Sequence, residues 1–182
     1  MAYSKLFTDW VNTVFTFEGC YANDPNDKGG ETYMGCCRKY YPNLKVWESL
    51  DKFRYPKDKR KYVPNEEELR EIVAVYYNRY WKAVNADAFK NKELALCIAD
   101  CAVNCGVSAS VKMLQRIIGV KVDGICGEQT VATANIKKQL LRRYVEARIE
   151  YYYGIVAKDE SQRKFLKGWL RRCESFLEKD KE

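Results

Sequence analysis

The sequence predicts a mainly α-helical protein, and three observations support that fold class. Apolar residues recur at spacings of three and four along most of the chain, as they do on one face of a helix. Residues that commonly begin helices stand where several of these stripes start. No segment alternates apolar and polar residues for long enough to form a major strand. At 182 residues, 47% of them hydrophobic, the chain can bury a sizeable core.

The first predicted helix covers residues 3–17 and ends at an acid. Glu18 follows the last turn directly, and Gly19 is a residue that often terminates helices. The pattern therefore places a carboxylate at the carboxyl end of a helix. The apolar stripe of this helix consists of Leu6, Phe7, Trp10, Val11, Val14 and Phe15.

The next segment, residues 21–64, is rich in Gly, Pro, Asn, Asp and Lys and predicts loops with a short hairpin. A second helix follows, with Asn65 as its N-cap and Glu68 in the capping-box position. Its predicted buried face comprises Leu69, Ile72, Val73, Tyr76, Tyr80 and Trp81.

The carboxyl-terminal half predicts four helical segments. They begin near Asn91, at Ser108, at about Glu128 and after Asp159, and the third is expected to run unbroken to Val156. The first of them is nearly all apolar, which is typical of the centre of a helical bundle. We expect a catalytic segment at 1–90 and a binding segment at 91–182, packed into one compact unit.

The chain contains no histidine, and this excludes several kinds of site. A His-ligated zinc site, a Cys-His protease pair and a Ser-His-Asp triad all require one. Proton transfers in a hydrolase would then fall mainly to carboxylates. We expect no metal and no cofactor.

The chain contains eight cysteines. Three of them are spaced four residues apart, at Cys97, Cys101 and Cys105. Core packing is the favoured interpretation, since the C-x2-C pairs usual in metal sites are absent. The amino terminus has no secretory signal, and no apolar run is long enough to span a bilayer. We therefore expect synthesis in the cytoplasm, reduced thiols and no stable membrane insertion.

A net charge of +7 suits contact with a polyanion such as nucleic acid, an anionic cell wall or an acidic membrane surface. The basic clusters "KDKRK", "KKQLLRR" and "LRR" are equally consistent with an ordinary solvated surface.

The segment "TFEGCYANDPNDKGGETYMG" carries the candidate chemistry. Hydrolysis of a glycosidic bond needs one protonated acid and a second carboxylate that activates water or stabilises positive charge. Glu18, next to aromatic residues, suits the first role, and Asp24 or Asp27 suits the second. Thr32 is a candidate to hold the attacking water. The alternative is that these acids only shape Asx turns.

This segment closely resembles the signature of glycoside hydrolase family 108, approximately E-G-G-Y-x-N-D-P-x-D-x-G-G-x-T-x-x-G-I-T. The resemblance implies a lysozyme-like fold, muramidase activity, Glu18 as the catalytic acid, Asp27 as the second carboxylate and Thr32 as water holder. Cys20 and the Cys36-Cys37 pair depart from the signature. The matching residues are Glu18, Gly19, Tyr21, Asn23, Asp24, Pro25, Asp27, Gly29, Gly30, Thr32 and Gly35.

Residues 100–135 are similar to the predicted peptidoglycan-binding domain that commonly follows this catalytic segment. Asn104 and Gln115 offer amides suited to sugar or peptide groups, although they are equally suited to an internal network. In the first half, Tyr21, Asn23, Asp24 and Tyr33 complete the expected substrate-binding set. The matching residues are Asp100, Asn104, Gly106, Ala109, Leu114, Gln115, Gly119, Asp123, Gly124, Gly127 and Thr130.

Together these features predict a muramidase that cleaves the β-1,4 bond between N-acetylmuramic acid and N-acetylglucosamine in peptidoglycan strands. The expected setting is a monomeric phage or bacterial endolysin that reaches the wall after holin-dependent release and does not bind nucleic acid. The main alternative is a non-catalytic peptidoglycan-binding or secretion-accessory protein. A nucleic-acid-binding protein that uses the basic clusters is a further alternative.

Overall fold

The computed structural model describes residues 2–23 and 30–179, without the side chains of residues 178 and 179. Helices dominate these residues, and the strands among them form one small sheet, so the predicted mainly α class is confirmed. The chain forms two compact units, Met1–Arg79 and Tyr80–Glu182. None of the described helices is long and apolar enough to span a membrane.

Helix α1, Lys5–Phe17, opens the first unit. The Ser4 hydroxyl caps it by accepting a hydrogen bond from the Phe7 N–H. The helix buries Phe7, Trp10, Val11 and Val14, as the apolar stripe predicts. It ends at Glu18, whose backbone turns extended while its N–H still donates to the Val14 carbonyl at 3.1 Å.

Three two-residue strands form an antiparallel sheet in chain order: β1 Tyr21–Ala22, β2 Thr32–Tyr33 and β3 Cys36–Cys37. Strands β2 and β3 are joined by Met34 and Gly35, with φ of 45° and 74°. Positive φ at both central residues is the pattern of a type I′ turn, which matches the right-handed twist of paired strands. The predicted hairpin is therefore present.

Three helices complete the first unit: α2 Val46–Asp51, α3 Pro56–Lys59 and α4 Glu66–Tyr76. The predicted capping box is confirmed, because the Asn65 side chain accepts from the Glu68 N–H and the Glu68 carboxylate accepts from the Asn65 N–H. A π-helical turn, Tyr77–Trp81, follows α4. The prediction of only loops and a hairpin for residues 21–64 was wrong, because the segment also contains α2 and α3. At six and four residues, these helices are too short to show a repeating apolar stripe. Leu69, predicted as buried, is 37% exposed.

The second unit is a helical bundle. Its elements are a 3₁₀ turn at Ala86–Ala88, α5 Lys92–Cys105, α6 Val107–Ile118, α7 Glu128–Ile136, α8 Leu140–Lys158, a 3₁₀ turn at Glu160–Gln162 and α9 Arg163–Lys179. Helix α5 packs against α6, α8 and α9 and, as predicted, is buried over most of its length. The Asn91 side chain caps it by accepting from the Leu94 N–H.

Two predicted boundaries in this unit were wrong. Helix α6 begins after Gly106, so Ser108 lies inside its first turn and does not cap it. The helix expected from Glu128 to Val156 breaks before Leu140, where Gln139 adopts a left-handed conformation with φ of 54°. Asp159 caps the 3₁₀ turn that precedes α9.

A buried ion network lies at the centre of the second unit. Oδ2 of Asp100 accepts from Arg148 at 2.7 Å, and Oδ1 accepts from Arg172 at 2.6 Å. The Arg148 side chain has no solvent exposure, and it also donates to the Tyr152 hydroxyl. A fully buried guanidinium is tolerated only when its charge and its hydrogen bonds are satisfied, so Asp100 secures the contact between α5 and α8.

The cysteines of α5 pack as small apolar side chains. Cys97 and Cys101 are completely buried, and Cys105 is half-buried with its thiol 3.5 Å from the Tyr152 hydroxyl. Burial raises the pKa of the Cys97 thiol well above its ordinary value. The core-packing interpretation is confirmed for these positions.

Candidate active site

Glu18 is held at the junction between α1 and the small sheet. It is the C-cap of α1, and β1 begins three residues later at Tyr21. Its side chain is half-buried, as a carboxyl needs to be if it is to meet both the protein interior and a ligand. The local sequence explains this position, since the apolar stripe of α1 ends one turn earlier and Gly19 lets the chain leave the helix.

The turn at Gly35 brings the backbone close to this carboxyl. A Cβ atom on Gly35 would lie 2.0 Å from the Tyr76 hydroxyl oxygen and 3.1 Å from Oε2 of Glu18. The Tyr76 hydroxyl is itself fixed, because it donates to the Met34 carbonyl at 3.0 Å. Three elements, α1, the β2–β3 turn and α4, therefore converge on the Glu18 carboxyl.

The negative charge of Glu18 affects the pKa of a buried thiol, that of Cys36. Burial raises the pKa of the Cys36 thiol to about 12, and the negative charge of Glu18 adds to that rise. The positive charge of Arg79, whose guanidinium donates to the Tyr41 hydroxyl at 2.7 Å, acts on the same thiol in the opposite direction. Cys36 has no solvent exposure, so the Glu18 carboxyl borders a dry part of the core.

The aromatic surroundings of Glu18 are not the ones that its sequence neighbours predict. Phe17 is 60% exposed and Tyr21 is buried in the sheet. The ring that reaches the carboxyl belongs to Tyr76 in α4, and Phe15 packs edge-on against that ring at 5.2 Å. Sequence reasoning places Tyr76 on a buried face but gives no signal that this face meets Glu18.

A second acid, Glu31, is the centre of an ion network beside the sheet. Its carboxylate accepts from Arg38 at 2.9 Å, from Lys59 at 3.0 Å and from the Tyr21 hydroxyl at 2.8 Å. Arg38 also binds Asp51. This network joins β1, α3 and the residues that flank the β2–β3 hairpin. Sequence reasoning missed Glu31, whose partners are 7, 28 and 10 positions away.

Thr32 lies on β2, half-buried, and its hydroxyl donates to the Gly30 carbonyl at 3.3 Å. Thr32 therefore belongs to the small sheet that begins at Tyr21, three residues after Glu18 along the chain. Asp24 and Asp27, the candidates for the second carboxylate, lie outside the described residues.

The sequence profile of the glycosyl hydrolase 108 family matches residues 11–106, more than half of the chain, and so covers Glu18, the sheet and Gly35. The chain belongs to the glycosyl hydrolase 108 family. A second profile, described as a predicted peptidoglycan domain, matches residues 109–174. This pair supports a lytic or binding function on peptidoglycan.

This family member is also similar to a solved structure, that of Brucella abortus SagA. The two are 25% identical, with a TM-score of 0.69, and the likeness covers 95% of this chain and 92% of that one. No curated protein matches.

The remaining predicted contact residues fall into two groups in this glycosyl hydrolase 108 member. Asn23 and Asn104 are exposed, and Asn104 donates to the Asp100 carbonyl. Tyr33 and Gln115 are each 1% exposed. The Tyr33 hydroxyl donates to the Tyr62 carbonyl, and the Gln115 amide bonds the loop that follows α6. Tyr21 is also buried, with its hydroxyl on Glu31. These three side chains serve internal contacts.

One of the three departures from the family signature is buried. Cys36 stands at the isoleucine position and lies in the core, where a small apolar thiol replaces an apolar side chain. Cys37 is half-buried and Cys20 is exposed.

Replacing Gly35 by Ala should both destabilise the first unit and abolish catalysis. The new methyl would overlap the Tyr76 hydroxyl and press on Glu18, and such overpacking typically costs about 1–3 kcal/mol. Thermal unfolding and peptidoglycan hydrolysis measure the two effects.

Gly30→Ala is the matched control, because Gly30 also has a positive φ, 71°, but has open space where a Cβ would lie. It carries the same backbone strain without the overlap. Adding Tyr76→Phe to Gly35→Ala removes the hydroxyl oxygen that the new methyl would overlap, and it should restore part of the stability. Equal losses in the two alanine variants would contradict the steric account.

Acid should weaken the Glu31 network. Burial alone would raise the pKa of this carboxyl, but the hydrogen bonds from Arg38, Lys59 and Tyr21 outweigh burial and hold it below the ordinary 4.5. The free energy of unfolding that Glu31 contributes is therefore complete above that value and is lost as the pH falls through the lower, folded-state pKa. Glu31→Gln should be less stable than the wild type at pH 7, and the difference should close under acid.

Chemical denaturation between neutral and acid pH measures this difference. The control is Glu48→Gln in α2, since that exposed side chain should show no such closing gap. A stability difference for Glu31→Gln that stays constant down to the lowest pH would show that the network does not depend on the ionised carboxylate.

Proposed function

We propose that this protein is an N-acetylmuramidase that hydrolyses the β-1,4 bond between N-acetylmuramic acid and N-acetylglucosamine. The observation that carries the proposal is the position of Glu18, a half-buried carboxyl at the end of α1 against Tyr76, Gly35 and the buried Cys36. Membership of a glycosyl hydrolase family supports the reaction class.

In the proposed mechanism Glu18 is the general acid that protonates the leaving glycosidic oxygen. Such an acid has to keep its proton until the substrate is bound, and apolar surroundings favour the protonated form. The buried Cys36 and the Tyr76 side chain border Glu18 on one side, and its partial exposure leaves part of the residue at the surface, which supports this role.

The second carboxylate is proposed to be Asp27, with Thr32 holding the water. The chemistry requires this partner because the sugar develops positive charge and because water has to be activated. Thr32 on β2 lies in the sheet that directly follows Glu18, and its hydroxyl oxygen has capacity to accept a further hydrogen bond. Asp24 is the alternative second acid.

Analysis of the new reducing ends tests the proposal. Purified peptidoglycan is digested, reduced with borohydride and hydrolysed to sugars. A muramidase leaves N-acetylmuramic acid at the new reducing ends, and borohydride converts it to its alcohol. A glucosaminidase would leave N-acetylglucosamine there and so yield the alcohol of that sugar. Either the second alcohol or the absence of both would overturn the muramidase assignment. Absence of both, together with retention on insoluble peptidoglycan, would select the non-catalytic binding alternative.

A further inference from the structure

A cavity of about 390 Å³ opens on the second unit, at the amino-terminal end of α6. It lies within the region that matches the predicted peptidoglycan domain or directly beside it. Its size is at the lower end of the range usual for small-molecule sites. Its principal lining residues are Cys105, Gly106, Ser108, Lys112, Arg116 and Tyr151.

Two cations share one wall of this cavity. Lys112 and Arg116 are four residues apart in α6, so they project from the same helix face. Like charges at this spacing destabilise a helix, and no acid among the described residues forms an ion pair with either one. An anion in the cavity would offset that repulsion.

The loop after α6 fixes the lysine side of the cavity. Gly124, with φ of 81°, comes so close that a Cβ there would lie 2.6 Å from the Ser108 hydroxyl and 3.1 Å from Cε of Lys112. Gln115 holds this loop, accepting from the Gly124 N–H at 2.8 Å and donating to Asp123 at 2.8 Å. The buried amide therefore holds the loop that packs against two lining residues, Ser108 and Lys112.

The cavity also has less polar lining residues. Tyr151 from α8 lines it and is 37% exposed, and the half-buried Cys105 at the end of α5 lines it too. An aromatic side chain in a cavity with two cations suits a ligand that carries a charged group on an aliphatic body.

We propose that this cavity binds a carboxylate of the peptide stems of peptidoglycan, with Lys112 and Arg116 as its charge partners. The inference rests on the proposed function for the nature of the polymer. The N-acetylated sugars of the strand offer no cationic or anionic group of their own once the lactyl carboxyl is joined to peptide, whereas the stems carry free carboxylates. Two unpaired cations in one small cavity match the stem better than the sugar.

Binding is tested with two soluble probes, a disaccharide-peptide and an uncharged oligomer of N-acetylglucosamine, in the Glu18→Gln background so that no probe is cleaved. Lys112→Gln with Arg116→Gln should weaken disaccharide-peptide binding by about tenfold or more, since it removes charge-assisted hydrogen bonds. The single Arg116→Gln variant, at an exposed position, should show part of this loss. Thermal unfolding checks that each variant is folded.

The control pair is Lys137→Gln with Lys138→Gln, which removes the same charge from exposed positions in the same unit. Normal disaccharide-peptide binding by the Lys112/Arg116 pair, or an equal loss in the control pair, would overturn the proposal. So would an equal loss for the N-acetylglucosamine oligomer, because the cavity would then recognise sugar. Reducing-end analysis of the wild-type protein is a separate measurement. Failure of the muramidase assignment would therefore be distinguishable from failure of this binding site.

Discussion

Glu18→Gln is expected to lower the rate of peptidoglycan hydrolysis by about 10²–10⁴-fold, the usual contribution of a positioned general acid. Glutamine keeps the shape of the side chain and its hydrogen-bonding capacity, but its amide does not give up a proton to a leaving oxygen. Because Glu18 lies at the surface of the core, with Gly35 and Tyr76 around it, the fold should tolerate the change. The release of reducing ends measures the rate.

Glu48→Gln is the matched control for this experiment. It removes an exposed carboxylate from α2 in the same unit and should leave the rate unchanged. Thermal unfolding of both variants separates loss of chemistry from loss of structure. Equal rates for the wild type and Glu18→Gln would remove Glu18 from the mechanism, whatever its position in the fold.

Asp100→Asn should cause a large loss of stability, about 3–5 kcal/mol in the free energy of unfolding. The change removes the negative charge that faces Arg148, whose side chain has no solvent exposure, and Arg172. A buried guanidinium that has no counter-ion still bears the free-energy cost of losing its hydration on folding, and no ion pair offsets that cost. Denaturant unfolding, followed by a probe of the second unit, measures the loss.

Asp9→Asn provides the control, because Asp9 pairs with Lys5 on an exposed face of α1 and should contribute at most about 1 kcal/mol. Replacing Asp100 by Leu together with Arg148 by Met removes the carboxylate and the fully buried guanidinium. It leaves Arg172, whose side chain is 13% exposed, and should cost less than Asp100→Asn alone. A small loss for Asp100→Asn, similar to that for Asp9→Asn, would show that water or another group compensates Arg148.

Much of the local structure can be read from the sequence. The stripe of α1, the capping box at Asn65 and Glu68, and the apolar character of α5 each depend on residues within a few positions of one another. Short-range patterns of this kind are set by backbone geometry and by hydrogen bonds inside one turn. The helices that escaped prediction, α2 and α3, have only six and four residues.

The break before Leu140 shows the limit of such patterns. The residues on both sides have helical spacing, but the backbone is extended at Lys137, which ends α7, and left-handed at Gln139, which precedes α8. A non-glycine residue adopts that conformation when the surrounding packing requires it, and no single-residue propensity predicts it.

Residue types at short spacing are enough to predict the fold class, the acid at the end of α1 and the turn glycines. Which groups surround that acid, and which amides are buried, is visible only once the chain is folded. Tyr76 reaches Glu18 from α4, and Gln115 turns inward to hold the loop at Gly124. The physical reason is that burial and long-range contacts depend on how helices pack, and packing depends on the shapes of side chains that lie far apart along the chain.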